Sequence, residues 1–341
     1  MVFQFQSNRV RRAYEGGSRI DAFTGCVSGN NNRPEEWLAS TVSAFNPDDT
    51  PIAQEGLSIL ADGRLFRDVL AENAEAILGK RLAQKHGGKL AILVKLLDSA
   101  ERLVIQCHPT VPFAKEYFGS DFGKTECWYF LDTAPDACVY LGFQTGITRQ
   151  KWEALFEKQD TAGMLDCLHK IPVQPGDLWF VDGGIPHAIG GGCFMIELQE
   201  PSDLMVIPER VTPSGRVLSE QKLHCGLGFE KMFDCFGYQG YCLAELQEKY
   251  YRKAKLTDNA FASIVDRSLT DKFSMEGIRI CGKTEFDLCD RYGVGILTEG
   301  ACCLICDDKT LSLEKGDSFF VAADSGLLSV EGQAEMILCM G

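Results

Sequence analysis

Residues 174–181 read QPGDLWFV and residues 314–321 read EKGDSFFV. Each is a Gly-Asp turn feeding a short aromatic strand, and each sits among further short apolar strands punctuated by Gly and Asp. WYFLDT, CVYLGFQ and GCFMIELQ flank the first copy; FSMEGIRICG, ACCLICDD and AEMILCM flank the second. Strands of this length and spacing signal a sandwich or barrel. The repeat therefore predicts a mainly β chain built from two similar β-units. Only the first copy runs on into a histidine, in GGIPHAIGGG, so only that unit is expected to carry a site.

At 341 residues the chain exceeds one ordinary core. The expected division is an N-terminal catalytic unit over 1–210, a helical linker over 211–256 and a C-terminal β-unit over 257–341. Helical spacing places helices near 66–86, ahead of Gly87, and across 148–170. Between them, LAILVKLL and ERLVIQCHP read as a hairpin turned at DSA.

The formal net charge of −14 argues against nucleic acid and anionic membranes as partners. No apolar run reaches the roughly eighteen residues of a membrane span. MVFQFQSNRVRRAYEGG lacks the apolar core of a secretory leader, so the expected location is the cytoplasm. Fifteen scattered cysteines read as small buried residues, and the lone CxxC at Cys303 and Cys306 has no second pair with which to hold zinc. A small anionic ligand remains compatible with the charge, given a local cluster of Lys or Arg.

Polar residues interrupt the strands of the first unit. Gln106 and His108, two apart, would share one strand face. Glu126 precedes the WYFLD strand, with Lys124 two residues before it, and His187 follows a Gly-rich turn. Two imidazoles, a carboxylate and an amide oxygen together would suit a divalent metal such as zinc. The same histidines would equally serve as hydrogen-bonded core residues.

IQCHPTVPFAKEYFGSDFGKTECWYFLD resembles the signature of the type I phosphomannose isomerases, Q-x-H-P followed by K-T-E-x-W-Y. PGDLWFVDGGIPHAIGGG is similar to that family's second cupin motif. The resemblance implies two cupin-type jelly-roll β-barrels with helical insertions and a zinc-dependent isomerase. Such an enzyme interconverts mannose 6-phosphate and fructose 6-phosphate through an enediolate. It implies Gln106, His108, Glu126 and His187 as zinc ligands, Lys124 beside the substrate and Glu197 as an acid/base candidate. One departure stands out: Ile207 occupies the position of the family's arginine, and Arg210 is the nearest replacement, with Arg216 beyond it. That departure leaves two alternatives: an isomerase of another sugar or sugar phosphate, and a metal-binding sugar sensor without turnover. The implied partner is a small sugar phosphate, and the sequence is silent on oligomeric state.

Overall fold

The computed structural model describes residues 1–27, 32–307 and 309–341. The architecture is mainly β. A seven-stranded sheet runs in the order Tyr251–Lys253, Asp177–Val181, Glu126–Thr133, Cys193–Gln199, Leu93–Ser99, Glu35–Leu38 and Arg9–Val10. A three-stranded sheet of Leu168–Pro172, Cys138–Phe143 and His187–Ile189 accompanies it. The C-terminal region forms an eight-stranded sheet around Ser274–Phe286, Gly293–Cys306 and Leu328–Met340. Among the described residues no helix is long and apolar enough to cross a membrane.

The sequence repeat takes the same local form twice. Gly176 and Gly316 both adopt positive φ, 82° and 95°, a conformation that glycine enters without penalty. Strands Asp177–Val181 and Ser318–Val321 then leave the two turns.

Two short strands pair across the expected division. Val2–Phe3 pairs with Ser318–Val321, so the first residues complete the C-terminal sheet. Tyr251–Lys253 pairs with Asp177–Val181, so the end of the helical linker belongs to the seven-stranded sheet. One apolar core joins the parts: the rings of Phe66 and Phe320 meet edge-on at 5.0 Å, and the Ala91 amide donates to the Tyr292 hydroxyl at 2.9 Å.

The helices are shorter than the periodicity predicts. The 66–86 region divides into Phe66–Glu72, Ala74–Leu78 and Lys80–Lys85, broken at Asn73 and at Gly79 with φ 81°. The 148–170 region gives Arg149–Lys158 and Thr161–Asp166, capped by the Thr148 and Asp160 side chains, and its last residues enter a strand.

The expected hairpin forms only its first half, Leu93–Ser99. Residues 101–108 make no ladder beyond single bridges at Gln106 and Cys107, because their backbone bonds go to several partners in turn. The Leu103 amide donates to Ile189, the Ile105 amide to the Glu209 carboxylate, Gln106 to His187 and Cys107 to Val206. Glu209 also holds Arg102 through both its oxygens, at 2.7 and 2.8 Å. The segment is thus fixed by single bonds to strand His187–Ile189 and to the 206–209 stretch, and the site is built on it.

Candidate metal centre and cavity

Three elements converge at the site. Gln106 and His187 exchange backbone hydrogen bonds of 2.9 Å in both directions, which seats the first residue of strand His187–Ile189 beside the 102–108 segment. The Gly184 amide donates to the His108 carbonyl at 2.7 Å. Glu126 opens its strand between Gln199 and Val181. Two glycines let the backbones close. A Cβ at Gly123 would stand 2.6 Å from the Pro109 carbonyl oxygen, and one at Gly183 would stand 2.8 Å from the same atom. The loop after His108 passes between them.

The result is one buried group of His108, Glu126 and His187, whose ligand atoms all lie within 4.8 Å of one another. Each imidazole Nε2 stands 3.3 Å from a different Glu126 oxygen. The other ring nitrogen of each histidine points at a backbone carbonyl. His108 Nδ1 lies 3.0 Å from the Leu204 oxygen and His187 Nδ1 lies 2.9 Å from the Ile185 oxygen. A neutral imidazole that donates from Nδ1 has a bare lone pair on Nε2. Burial pushes both histidines below the usual range, strongly for His108, where the Lys124 ammonium adds to the effect. Two neutral lone pairs therefore face a carboxylate.

That donor set suits a divalent cation. His187 Nε2 is buried without a hydrogen-bond partner, and so is Glu126 Oε2. The Lys124 ammonium lies 2.9 Å from Glu126 Oε2 and 2.7 Å from His108 Nε2, so the one pairs by charge and the other by hydrogen bond. It supplies the positive charge among these lone pairs. Burial alone would raise the Glu126 carboxyl, but Lys124, followed by His187, outweighs it and holds the group at about 2.

A chain of ion pairs leads away from this group. Lys124 approaches Glu197 at 3.7 Å, and Glu197 meets Lys95 at 3.3 Å. Lys95 reaches Glu35 at 3.5 Å, Glu35 meets Arg12 at 3.0 Å, and Arg12 holds both oxygens of Asp203, at 2.8 and 2.9 Å. Trp37 packs its ring against Lys95 and Arg12 and donates its indole N–H to Glu35 at 2.7 Å. Arg12, Glu35, Lys95, Gln106, Lys124 and Glu197 all line one cavity, together with Ile207, Thr212, Pro213 and Lys222. The cavity holds about 50 Å³, and Thr212 and Pro213 of the 211–217 turn form part of its wall.

His108, Glu126, His187, Lys124 and Glu197 are thus brought together. Gln106 lines the cavity beside them and bonds to His187 through its backbone. Arg210 is placed elsewhere: its guanidinium lies over the rings of Phe156 and Phe229, at 4.8 and 4.7 Å. Arg216 pairs with Asp49 at 2.9 Å. Neither lines the cavity. Sequence reasoning missed Arg12, Glu35, Lys95 and Glu200. Lys95 had a signal, a charge in the middle of the apolar run LAILVKLL. Glu200 clamps the loop that carries Lys124, accepting from the Gly123 and Thr125 amides at 3.3 and 2.9 Å and pairing with Lys272 at 2.8 Å.

Two segments of the chain match families of known proteins, and its fold matches solved structures. Residues 53–128, which include Gln106, His108, Lys124 and Glu126, match the model of the phosphomannose isomerase type I catalytic domain. Residues 267–340 match that of the mannose-6-phosphate isomerase cupin domain. The probable mannose-6-phosphate isomerase GmuF of Bacillus subtilis is 29% identical over 252 residues, 74% of this chain and 75% of its own. Mannose-6-phosphate isomerase ManA of the same organism is 33% identical over 150 residues, 44% of this chain and 46% of its own. Among solved structures, the Bacillus subtilis mannose 6-phosphate isomerase superposes with a TM-score of 0.75 at 21% identity, covering 99% of both chains. A zinc-bound mannose 6-phosphate isomerase gives a TM-score of 0.74 at 16% identity, covering 99% of this chain and 98% of its own. At these identities the superpositions speak for the fold.

Proposed function

We propose that the chain is a type I phosphomannose isomerase, interconverting mannose 6-phosphate and fructose 6-phosphate with zinc held at His108, Glu126 and His187; the matches of residues 53–128 and 267–340 to that family's two domains support this. Gln106 would complete the ligand set through its side-chain oxygen. The observation that carries the reading is the buried pair of imidazole lone pairs facing one carboxylate, with His187 Nε2 left without a hydrogen bond. Zinc bound there would act as a Lewis acid on the substrate's oxygens.

The reaction moves one proton from C2 to C1 through an enediolate, with a matching proton shift between the two oxygens. Lys124 stands at the edge of the metal group and lines the cavity, where its ammonium stabilises the oxyanion as it develops. Two further carboxylates line the cavity. Glu35 is committed to Arg12, Lys95, Trp37 and Tyr14. Glu197 has Lys95 at 3.3 Å and Lys124 at 3.7 Å, and is the better placed of the two to carry the proton between C2 and C1. The relay of ion pairs orients both groups and keeps the cavity free of unpaired carboxylates.

Fifteen free thiols, most of them buried, accord with a cytoplasmic setting, where such groups stay reduced. The test is a coupled assay of the zinc-loaded protein with mannose 6-phosphate, run beside unphosphorylated mannose. Formation of fructose 6-phosphate supports the reading. A folded, zinc-loaded protein that leaves mannose 6-phosphate unchanged overturns it.

A further inference from the structure

Four cations line the cavity of a protein whose net charge is −14: Arg12, Lys95, Lys124 and Lys222. All four are buried, none more than 6% exposed. Lys95 has Glu197 and Glu35, Lys124 has Glu126 and Glu197, and Arg12 has Glu35 and Asp203. Lys222 differs. Its ammonium donates to the Phe45 carbonyl at 2.8 Å and lies 5.5 Å from the centre of the Phe45 ring. Among the described residues it forms no ion pair with a carboxylate. A buried ammonium without a counter-ion is costly, and an anion entering the cavity would relieve that cost.

Lys222 stands at the Arg12–Asp203 end of the ion-pair relay. Phe45, whose carbonyl takes the Lys222 ammonium, donates its own amide to Asp203 at 2.7 Å, and Asp203 is the carboxylate that Arg12 holds. The relay runs from Lys124 through Glu197, Lys95 and Glu35 to Arg12. A guanidinium has five N–H donors. One donor from each Arg12 nitrogen goes to Glu35 or Asp203, so two donors are left.

We propose that Lys222, with the free donors of Arg12, holds the phosphate group of the substrate at the end of the cavity opposite Lys124. This rests on the sugar-phosphate reading above and gives it a direction. The C1–C2 end of the sugar lies at the metal group and the C6 phosphate at Lys222. It also removes Arg210 and Arg216 as phosphate ligands, since one is stacked on two phenylalanines and the other is paired with Asp49.

Inorganic phosphate is the probe. Calorimetry on the full, zinc-loaded chain measures its affinity, and the isomerase assay measures its competition with mannose 6-phosphate. Lys222→Met is expected to weaken phosphate about 10- to 100-fold and to raise KM for mannose 6-phosphate by a similar factor, with zinc content unchanged and kcat less affected. Lys222→Arg is expected to recover part of the loss. A folded Lys222→Met protein that binds phosphate as the parent does overturns the assignment. If that variant does not fold, Lys222→Gln takes its place. If neither folds, tungstate is located in crystals of the unaltered protein, and an anion bound in the cavity away from the Lys222 ammonium overturns the assignment. A protein that binds phosphate through Lys222 but does not isomerise mannose 6-phosphate rejects the isomerase reading and keeps the subsite. Isomerisation with phosphate affinity indifferent to Lys222 does the reverse.

Discussion

The Lys124 ammonium stands 2.7 Å from His108 Nε2, inside the group of lone pairs that would hold a metal. It is the nearest fixed positive charge to the reacting end of the cavity. Replacing it with methionine keeps the volume and removes the charge. Lys124→Met is expected to retain bound zinc and to lose kcat by about 10²-fold or more, the range for removing one electrostatic stabiliser of an oxyanion. Metal analysis beside steady-state kinetics checks this. Full kcat in that variant would remove Lys124 from the mechanism.

The glycines at 123 and 183 should not tolerate a side chain. An alanine at either would press its Cβ to 2.6 or 2.8 Å from the Pro109 carbonyl oxygen, against backbone that cannot rotate away. Gly123→Ala is expected to displace the His108 loop from Lys124 and Glu126. Zinc affinity should fall about 10- to 100-fold, the range seen when the groups that orient ligands are lost. Competition against a chromophoric chelator measures it, and parental affinity would show that the close approach is unimportant.

Glu200 has no counterpart in the sequence reading, yet it holds the Gly123 and Thr125 amides and pairs with Lys272. Truncating it leaves those two amides without their acceptor and the Lys272 ammonium without its carboxylate, with only the Thr125 hydroxyl as partner. Glu200→Ala is expected to destabilise the fold by about 2–4 kcal/mol, with Glu200→Gln milder because the amide oxygen still accepts. Urea denaturation midpoints of the three proteins test the order.

Acid should loosen the Arg12 end of the relay. Burial raises Glu35 and Asp203, but Arg12 and Lys95, joined at Glu35 by hydrogen bonds from Trp37 and Tyr14, together outweigh it, and both carboxyls lie below the usual range. Groups with depressed folded pKa values contribute stability that is complete above the unfolded value of roughly 4 and is lost as pH falls through the folded one. Glu36 has the opposite sign, because burial raises its carboxyl, and it offsets part of the gain near neutral pH. The melting temperature of the native chain should therefore drop below about pH 4. Arg12→Met should melt lower than the parent at pH 7, with the gap narrowing toward pH 3. An unchanged gap across that range would mean that the relay does not set acid stability.

The fold was legible where local chemistry and tertiary placement agree. The Gly-Asp turns at 176 and 316 fix two similar strand starts, and both appear. The 101–108 segment shows where such reading fails. Its residues are strand-like in type, but its backbone partners are His187, Ile189, Val206 and Glu209, all distant in sequence, so no local signal distinguishes it from a hairpin arm. The same limit applies to the site. His108, Glu126 and His187 stood out as polar residues among apolar ones. Arg12, Glu35 and Asp203 did not, because each is unremarkable alone and gains its meaning from an ion pair across the fold. Arg210 is near Ile207 in the chain, but Phe156 and Phe229 take its guanidinium.

If the His108–Glu126–His187 group holds the metal on which isomerisation depends, turnover follows zinc occupancy of that group. The measurement is a titration of zinc into chelator-stripped protein while fructose 6-phosphate formation is followed. Activity should rise from near zero to a plateau at one zinc per chain, and His187→Ala should neither bind the ion nor gain activity. Full turnover in the stripped protein, or a saturable response to zinc in His187→Ala equal to that of the parent, would contradict it.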